Sequence, residues 1–446
     1  MDREDTTDLD VTNEVGFDLY RPEWTQFQTH EIRMTSSGAG PFEWLGGLYY
    51  SLKKNDWNSF ANFYETTSVL TGAPFGPGGS ILQPGPLGIL DTILGDTSLP
   101  PTLAQEQAVR IYFPFENRYR ETEHVAAFLT TSYRFQTGWE LGFGLRVDDW
   151  TANTRDRNAT LYGTNTPFLE QGDTEVLPKA SVSYFFGGGA MAYVTYAQGY
   201  EPGGYNLYNP VGVPLLNPFS KEEVESYEVG FKTLIAENFE LGAAAFFIDY
   251  TARQFEIQQQ IAIGGIVENI INVGDSEQYG VEADFRWRIN EYLSLTGSAG
   301  WLDAEFKPGA VIVDTNSNLA SVDGNFPPWI SDYSYSTSIR YDRPVGSAME
   351  LHARIDWLGK SPFWFNMENT ARNPGYDVFN VQVELDLNEH WTVGIRAENV
   401  FDEDHYVDGS IWPGDAVPGT PAPDFDPVIG TLGQPRKVLA EVRARF

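Results

Sequence analysis

Stretches of this chain put charges on one face and large apolar side chains on the other, with a period of two. Met349, Leu351, Ala353, Ile355 and Trp357 fall on one face of an extended segment, and Glu350, His352, Arg354 and Asp356 on the other. The split recurs: Val281, Ala283, Phe285 and Trp287 oppose Glu282, Asp284, Arg286 and Arg288. Phe379, Val381, Val383 and Leu385 oppose Asn380, Gln382 and Glu384, and Leu141, Phe143, Leu145 and Val147 oppose Gly142, Gly144, Arg146 and Asp148. A dry core cannot take the charged face, whereas a water-filled lumen can. The apolar face then looks outward into lipid.

The connections carry a second regularity. Short, tight ones (36–41, 136–138, 187–189, 236–238, 290–291, 343–347, 388–389) alternate with long polar excursions (151–175, 201–221, 307–327, 403–433). A transmembrane barrel has short turns on one side and long loops on the other. The pattern gives about fifteen strands of roughly ten or more residues, enough for a tilted crossing. They lie near 25–35, 42–54, 120–135, 139–150, 176–186, 190–200, 222–235, 239–253, 273–289, 292–306, 328–342, 348–360, 374–387, 390–402 and 434–446. The fold class is all-β, a transmembrane antiparallel β-barrel. No fixed-period repeat suggests a propeller or β-helix. Lys53 to Arg118, rich in Gly and Pro, reads as a long extracellular excursion with a local hairpin.

Composition narrows the function. The 446 residues carry a net charge of −33, which argues against nucleic-acid binding. There is no cysteine, so neither disulfides nor thiolate metal sites arise. Aromatics make up 14%, as interfacial girdles require. No run of 18 apolar residues marks a transmembrane helix, and the residues after Met1 (Asp2, Arg3, Glu4, Asp5) do not resemble a signal peptide. The five histidines are scattered, and no catalytic, cofactor or metal constellation stands out; His405 beside Asp402, Glu403 and Asp404 reads as a solvated loop.

Several stretches resemble TonB-dependent outer-membrane receptors. Glu398-Asn399-Val400-Phe401-Asp402-Glu403 with Tyr406 is similar to that family's N-L-F-D-x-x-Y passage, with Val400 in place of Leu and one extra residue before the Tyr. Tyr227 to Lys232 resembles its Y-E-x-G-x-K strand, and Tyr193 to Tyr205 its Y-x-x-Y-x-x-G-[FY]-x-x-G-G-[FY] passage. Asn272-Val273-Gly274 with Tyr279-Gly280-Val281-Glu282 resembles its N-x-G…x-G-x-E strand start, while Gln28 to Ser36 and Trp44 to Tyr49 resemble its E-x-R-x-x-S and W-x-x-G-x-Y hairpin. The final face, Val438, Ala440, Val442, Ala444 and Phe446, is similar to the signal read by the barrel assembly machinery.

The resemblance implies a receptor in the outer membrane of a Gram-negative bacterium, surrounded by outer-membrane lipid. It implies uptake of a scarce nutrient, most often a ferric siderophore, energised through TonB. No stretch matches the family's plug or TonB box, so TonB contact is expected through an N-terminal region that this sequence lacks. About fifteen of the family's 22 strands are accounted for, with first and last strands running the same way. A C-terminal portion of the barrel, spanning 1–446, with edges near 25–35 and 435–446 that do not pair normally, is therefore expected. Loop aromatics Tyr200, Tyr205, Tyr208, Trp364 and Trp412 are candidate ligand contacts, with the aromatic girdle as their structural alternative. A passive porin-like channel and an outer-membrane barrel enzyme are the functional alternatives.

Overall fold

The structure, a computed structural model, describes residues 2–8, 17–38, 40–65, 109–156, 168–206, 217–260, 266–313, 319–411 and 428–445. In chain order its strands are β1 (Asp2–Asp8), β2 (Phe17–Thr35), β3 (Phe42–Glu65), β4 (Val109–Arg134), β5 (Trp139–Asp156), β6 (Leu169–Phe185), β7 (Met191–Glu201), β8 (Gly204–Asn206) and β9 (Asn217–Phe219). Next come β10 (Glu222–Ile235), β11 (Phe239–Gln260), β12 (Ile266–Arg288), β13 (Leu293–Phe306), β14 (Val311–Val313), β15 (Leu319–Ser321), β16 (Tyr333–Val345) and β17 (Met349–Lys360). The last are β18 (Phe363–Trp364), β19 (Arg372–Asn373), β20 (Tyr376–Asp386), β21 (Trp391–Glu398), β22 (Tyr406–Ile411), β23 (Val428–Leu432) and β24 (Lys437–Ala444).

Sixteen of these strands form one sheet in chain order, β1-β2-β3-β4-β5-β6-β7-β10-β11-β12-β13-β16-β17-β20-β21-β24, each antiparallel to its neighbours. Four two-stranded ribbons (β8-β9, β14-β15, β18-β19, β22-β23) decorate the long-loop end. Among the described residues no strand pairing joins β1 to β24. The register runs true enough to keep each face intact. One rung reads Ile339, Ile355, Val381, Ala397, Val438 across β16, β17, β20, β21 and β24. The rung three residues nearer the short turns, Asp342, His352, Glu384, Gly394, Glu441, has no large apolar member.

Apolar residues of the outer face are left open, with Phe143 at 66%, Ile395 at 59% and Val281 at 50% exposure. Such a belt belongs in hydrocarbon, not water. Aromatic rings border it twice. Near the short turns run Tyr133–Phe135, Trp139–Tyr184 and Tyr184–Phe186, each with centroids 4.7 Å apart. Toward the long loops run Tyr196–Tyr227, Tyr335–Trp357 and Trp357–Phe379, at 5.0, 4.8 and 5.5 Å. Trp287 and Tyr279 of β12 bracket about 20 Å of bilayer, from ~3.4 Å per residue and ~40° of tilt.

The short turns are built by local chemistry. Asn290 Oδ1 accepts the Tyr292 and Leu293 amides, both at 2.9 Å, and Asn388 Oδ1 does the same for His390 and Trp391 at 2.9 and 3.0 Å. Ala236 and Glu237 both have positive φ, the geometry of a tight hairpin matched to strand twist.

Two sequence expectations are corrected. Residues ahead of the first expected strand also enter the sheet: β1 pairs with the upper part of β2, Asp2 opposite Trp24 through Asp8 opposite Asp18. The sequence of β1 (DREDTTD) has no apolar alternation, because it pairs above the lipid belt where no outer face is selected. The fifteen expected segments all lie in the sheet and β1 makes a sixteenth strand, so the first and last strands, β1 and β24, run in opposite directions rather than the same one. The lower part of β2, Thr25 to Thr35, still pairs with β3 on one side only among the described residues. The excursion at 53–118 is partly ladder: β3 and β4 stay paired from Phe42 with Tyr133 to Glu65 with Val109. Residues 66–108 lie outside the described residues.

Candidate functional site

The inner wall is lined with charge. At the short-turn end, Arg340 Nε donates to Asp342 at 2.7 Å, His352 Nδ1 lies 2.6 Å from Asp342, and His352 Nε2 lies 3.4 Å from Asp386. Arg354 donates to Asp356 at 2.8 Å and Arg443 to Glu441 at 2.7 Å. Arg340, Asp342, His352, Arg354, Asp386 and Arg443 border a shallow hollow of about 320 Å³. The pairs are half-open to water, so each adds little stability. Their effect is to hold a hydrated, fixed-charge wall.

At the opposite end the loops fold into a mouth with its own packing. Val273, Phe306, Ala310, Ile312, Val322 and Met367 are buried together, joined by Ile257 from the upper part of β11. A bulge opposite Arg253 turns β12 toward this core. Gly274 sits there at φ +143°, and an added Cβ would lie 2.9 Å from Ala310 Cα, so a side chain is excluded twice over. The N-x-G motif thus marks this bulge inside β12, not a strand start.

Asparagines pin the loops to backbone. Asn369 brackets the Phe326 peptide, accepting its N–H and donating to its carbonyl, both at 2.8 Å. Asn325 donates to Met367 O at 2.8 Å, and Asn373, fully buried, to Tyr406 O at 3.0 Å. Asn399 of the N-V-F-D passage has φ +47°; its Oδ1 accepts the Glu403 amide at 2.9 Å and its Nδ2 donates to Glu403 O and Gln434 O at 2.9 and 3.1 Å. Asp402 then accepts the Arg436 amide at 2.8 Å, delivering the chain into β24. That motif is structural here.

The candidate aromatics divide. Tyr200 turns inward: its hydroxyl lies 3.5 Å from His124 Nδ1, and His124 lies 3.3 Å from Asp148, which Arg146 also holds at 2.6 Å. Tyr205 follows in β8 and donates to Glu170 O at 3.4 Å. Trp364 belongs to a separate unit, with Arg372 over its ring at 5.3 Å beside buried Phe363 and Phe365. Tyr208, Trp412 and Phe446 lie outside the described residues. Val438, Ala440 and Val442 share the outer face, opposite Ala397, Ile395 and Val393, and Ala444 opposite Trp391.

Sequence reasoning missed Lys221. Its ammonium lies 2.6 Å from Glu175, 3.2 Å from Glu223 and 3.3 Å from Asp173. Burial alone depresses this ammonium, but hydrogen bonds to Glu175, Glu223 and Asp173 outweigh it and hold its pKa above the ordinary lysine value. Lys307, in the loop after β13, is likewise raised, first by its 2.6 Å hydrogen bond to Asp249. The available signal was a lone cation, Lys221, at a loop end among acids. Among the described residues no group of three His, Asp or Glu is arranged to hold a metal ion.

A lipid-facing sheet, a charged inner wall and a mouth of folded loops define the class of barrel receptors and transporters. The chain belongs to the family described as TonB dependent receptor-like, beta-barrel, which matches residues 2–400. It is 26% identical over 302 residues to the pesticin receptor of Yersinia pestis, covering 66% of this chain and 42% of that protein. It is 25% identical over 276 residues to the ferrioxamine receptor of Yersinia enterocolitica, covering 60% and 35%. The chain thus spans less than half the length of these relatives. In fold it is similar to the ferric yersiniabactin uptake receptor FyuA of Yersinia pestis, with a TM-score of 0.70 at 18% identity, over 97% of this chain and 56% of that one. It also resembles the siderophore receptor PiuA of Acinetobacter baumannii, with a TM-score of 0.64 at 16% identity over 97% and 62%.

Proposed function

We propose that this chain is the barrel domain of an outer-membrane receptor of a Gram-negative bacterium, for TonB-energised uptake of a ferric siderophore. The observation that carries the reading is the family match over residues 2–400. Relatives named as ferrioxamine and ferric-pyoverdine receptors support the ligand class. In this reading residues 1–446 form the barrel domain and 53–118 its largest extracellular excursion. Tyr205, Tyr208, Trp364 and Trp412 offer ring faces to ligand at the mouth, while Tyr200 acts from the wall beneath. The register Val438, Ala440, Val442, Ala444, Phe446 serves recognition by the barrel assembly machinery. The TonB contact is proposed for the receptor as a whole.

The family is one of receptors and transporters, which leaves the barrel-enzyme alternative without support. Testing separates the receptor from a passive channel. Deleting the encoding gene in a host limited to single ferric siderophores should abolish growth on one ligand class. Removing TonB should abolish the same uptake. Uptake that persists without TonB would favour the channel, and growth unchanged on every siderophore would overturn the ligand class.

A further inference from the structure

The aromatic border toward the long loops carries acids on the outer face. In β10, β13 and β20 the outward position next above a ring is a carboxylate: Glu225 above Tyr227, Asp303 above Trp301 and Asp377 above Phe379. Ring donors hold each of them. Tyr227 Oη donates to Glu225 at 2.9 Å and Tyr196 Oη at 3.3 Å, with Gln198 Nε2 adding a bond of 2.6 Å. Tyr279, the register partner of Asp303, donates to it at 2.7 Å. Trp357 Nε1 donates to Asp377 Oδ1 at 2.8 Å, and Tyr335 Oη donates to the same oxygen. At the short-turn border a cation lies among the rings: Arg343 donates to Tyr341 Oη at 3.3 Å and sits 5.7 Å from the centre of the Tyr292 ring.

The Asp377 site is the most fully built. Gly359 stands between Tyr335 and Asp377 in the register. An added Cβ there would lie 2.6 Å from the Tyr335 ring and 2.7 Å from Asp377 Oδ1, so a side chain would block the path of the hydroxyl to the carboxylate. The rings beneath form a continuous shelf. Tyr335 meets Trp357 edge-on at 4.8 Å, and Trp357 stacks on Phe379 at 5.5 Å with the planes 7° apart. Both Trp357 and Asp377 are exposed. The two donors share Oδ1, and Oδ2 accepts no hydrogen bond among the described residues. No Lys, Arg or His among the described residues lies within ion-pair distance of Asp377, Asp303 or Glu225.

We propose that this border binds lipid whose headgroup carries a primary ammonium, with Asp377 and its aromatic shelf as the principal site and Asp303 and Glu225 as lesser copies. A carboxylate with an open oxygen and no cation of its own accepts an N–H donor, and the ring faces beside it attract the same positive charge. An anionic headgroup is repelled there. Lipid, rather than a free amine, is the source because the shelf runs into the apolar face: below Trp357 comes Ile355, and below Phe379 comes Val381. Acyl chains against that face bring a headgroup to the height of Asp377. Recognition of this kind depends only on the membrane-spanning sheet, and on neither siderophore nor TonB.

The whole protein in nonionic detergent is equilibrated with an equimolar mixture of phosphatidylethanolamine, phosphatidylcholine and phosphatidylglycerol of matched chains. Native mass spectrometry then reads which lipids it retains. Phosphatidylethanolamine should exceed phosphatidylglycerol, and phosphatidylcholine with its donor-free quaternary ammonium, by about fivefold, the scale of an exposed charge pair. Asp377→Asn keeps an acceptor for Tyr335 and Trp357 but removes the charge, and should lower that preference by about twofold or more. Adding Asp303→Asn and Glu225→Gln should abolish it. Equal retention of the three lipids, or a preference for phosphatidylglycerol, overturns the headgroup site. A preference that Asp377→Asn leaves intact overturns it as well. Excess free ethanolamine separates the two sources of ammonium: a preference that withstands it supports lipid, and one that it abolishes overturns lipid in favour of a soluble amine. Should the triple variant fail to assemble, Asp377→Asn alone decides on the same terms.

Discussion

Placing one arginine on either face of β20 tests the membrane assignment at single-residue resolution. Val383 lies on the outer face between Ala353 and Ile395, and is 42% exposed. Five residues separate it from the turn at Asn388, which sets it about 13 Å above that turn at ~3.4 Å per residue and ~40° of tilt, near the middle of a ~25 Å belt. Arginine at the midplane costs about 2–4 kcal/mol, a loss of about 30- to 700-fold in the folding equilibrium. Gln382, one residue earlier, faces the lumen between Arg354 and Arg396 and donates to Glu384 at 2.8 Å. Arg354 and Arg396 already have carboxylate partners, Asp356 and Glu398, both at 2.8 Å. An arginine at 382 keeps a water-filled surrounding and the Glu384 acceptor, so its cost stays below about 1 kcal/mol, or roughly fivefold. Reversible urea unfolding from phospholipid vesicles, followed by tryptophan fluorescence, measures both. Equal penalties for Val383→Arg and Gln382→Arg, or a larger one for Gln382→Arg, would refute the assignment of faces.

Asn399→Ala should cost about 2–4 kcal/mol, since it removes three hydrogen bonds from a buried side chain and leaves alanine at positive φ; hydrogen exchange over 400–411 and 428–436 should accelerate, and unchanged protection would contradict the anchoring role. Deleting Phe446 should slow insertion by the assembly machinery without altering ligand affinity of receptor that does insert; normal insertion kinetics would remove the proposed signal.

The wall of this protein was legible because two solvents select its faces. Lipid on one side and water on the other impose a period of two wherever a strand crosses the belt, and all fifteen such segments are strands. Where strands leave the belt that selection ends. The stretch Lys53 to Glu65 continues β3 without regular alternation, and β1 has no apolar member at all. Strand parity was misjudged for this reason, since only strands that lipid had marked were counted. Asn290 and Asn388 were legible as turn residues because their bonds are local, to amides two and three residues on.

The mouth was far less legible, because its determinants pair residues distant in sequence. Asn206 meets Ile270, Asn325 meets Met367, and Lys221 meets Asp173 and Glu175. No spacing rule predicts these bonds, which depend on how neighbouring loops lean on one another. The resemblance to receptor motifs helped only partly, since Asn399 marks a backbone anchor and Gly274 a bulge rather than contacts between loops. Tyr200 illustrates the remaining difficulty. Its loop position suggested an exposed ring, yet the end of β6–β7 pairing at Ala197 lets it swing inward to His124. A residue whose direction is set by where a ladder stops cannot be assigned from its own segment.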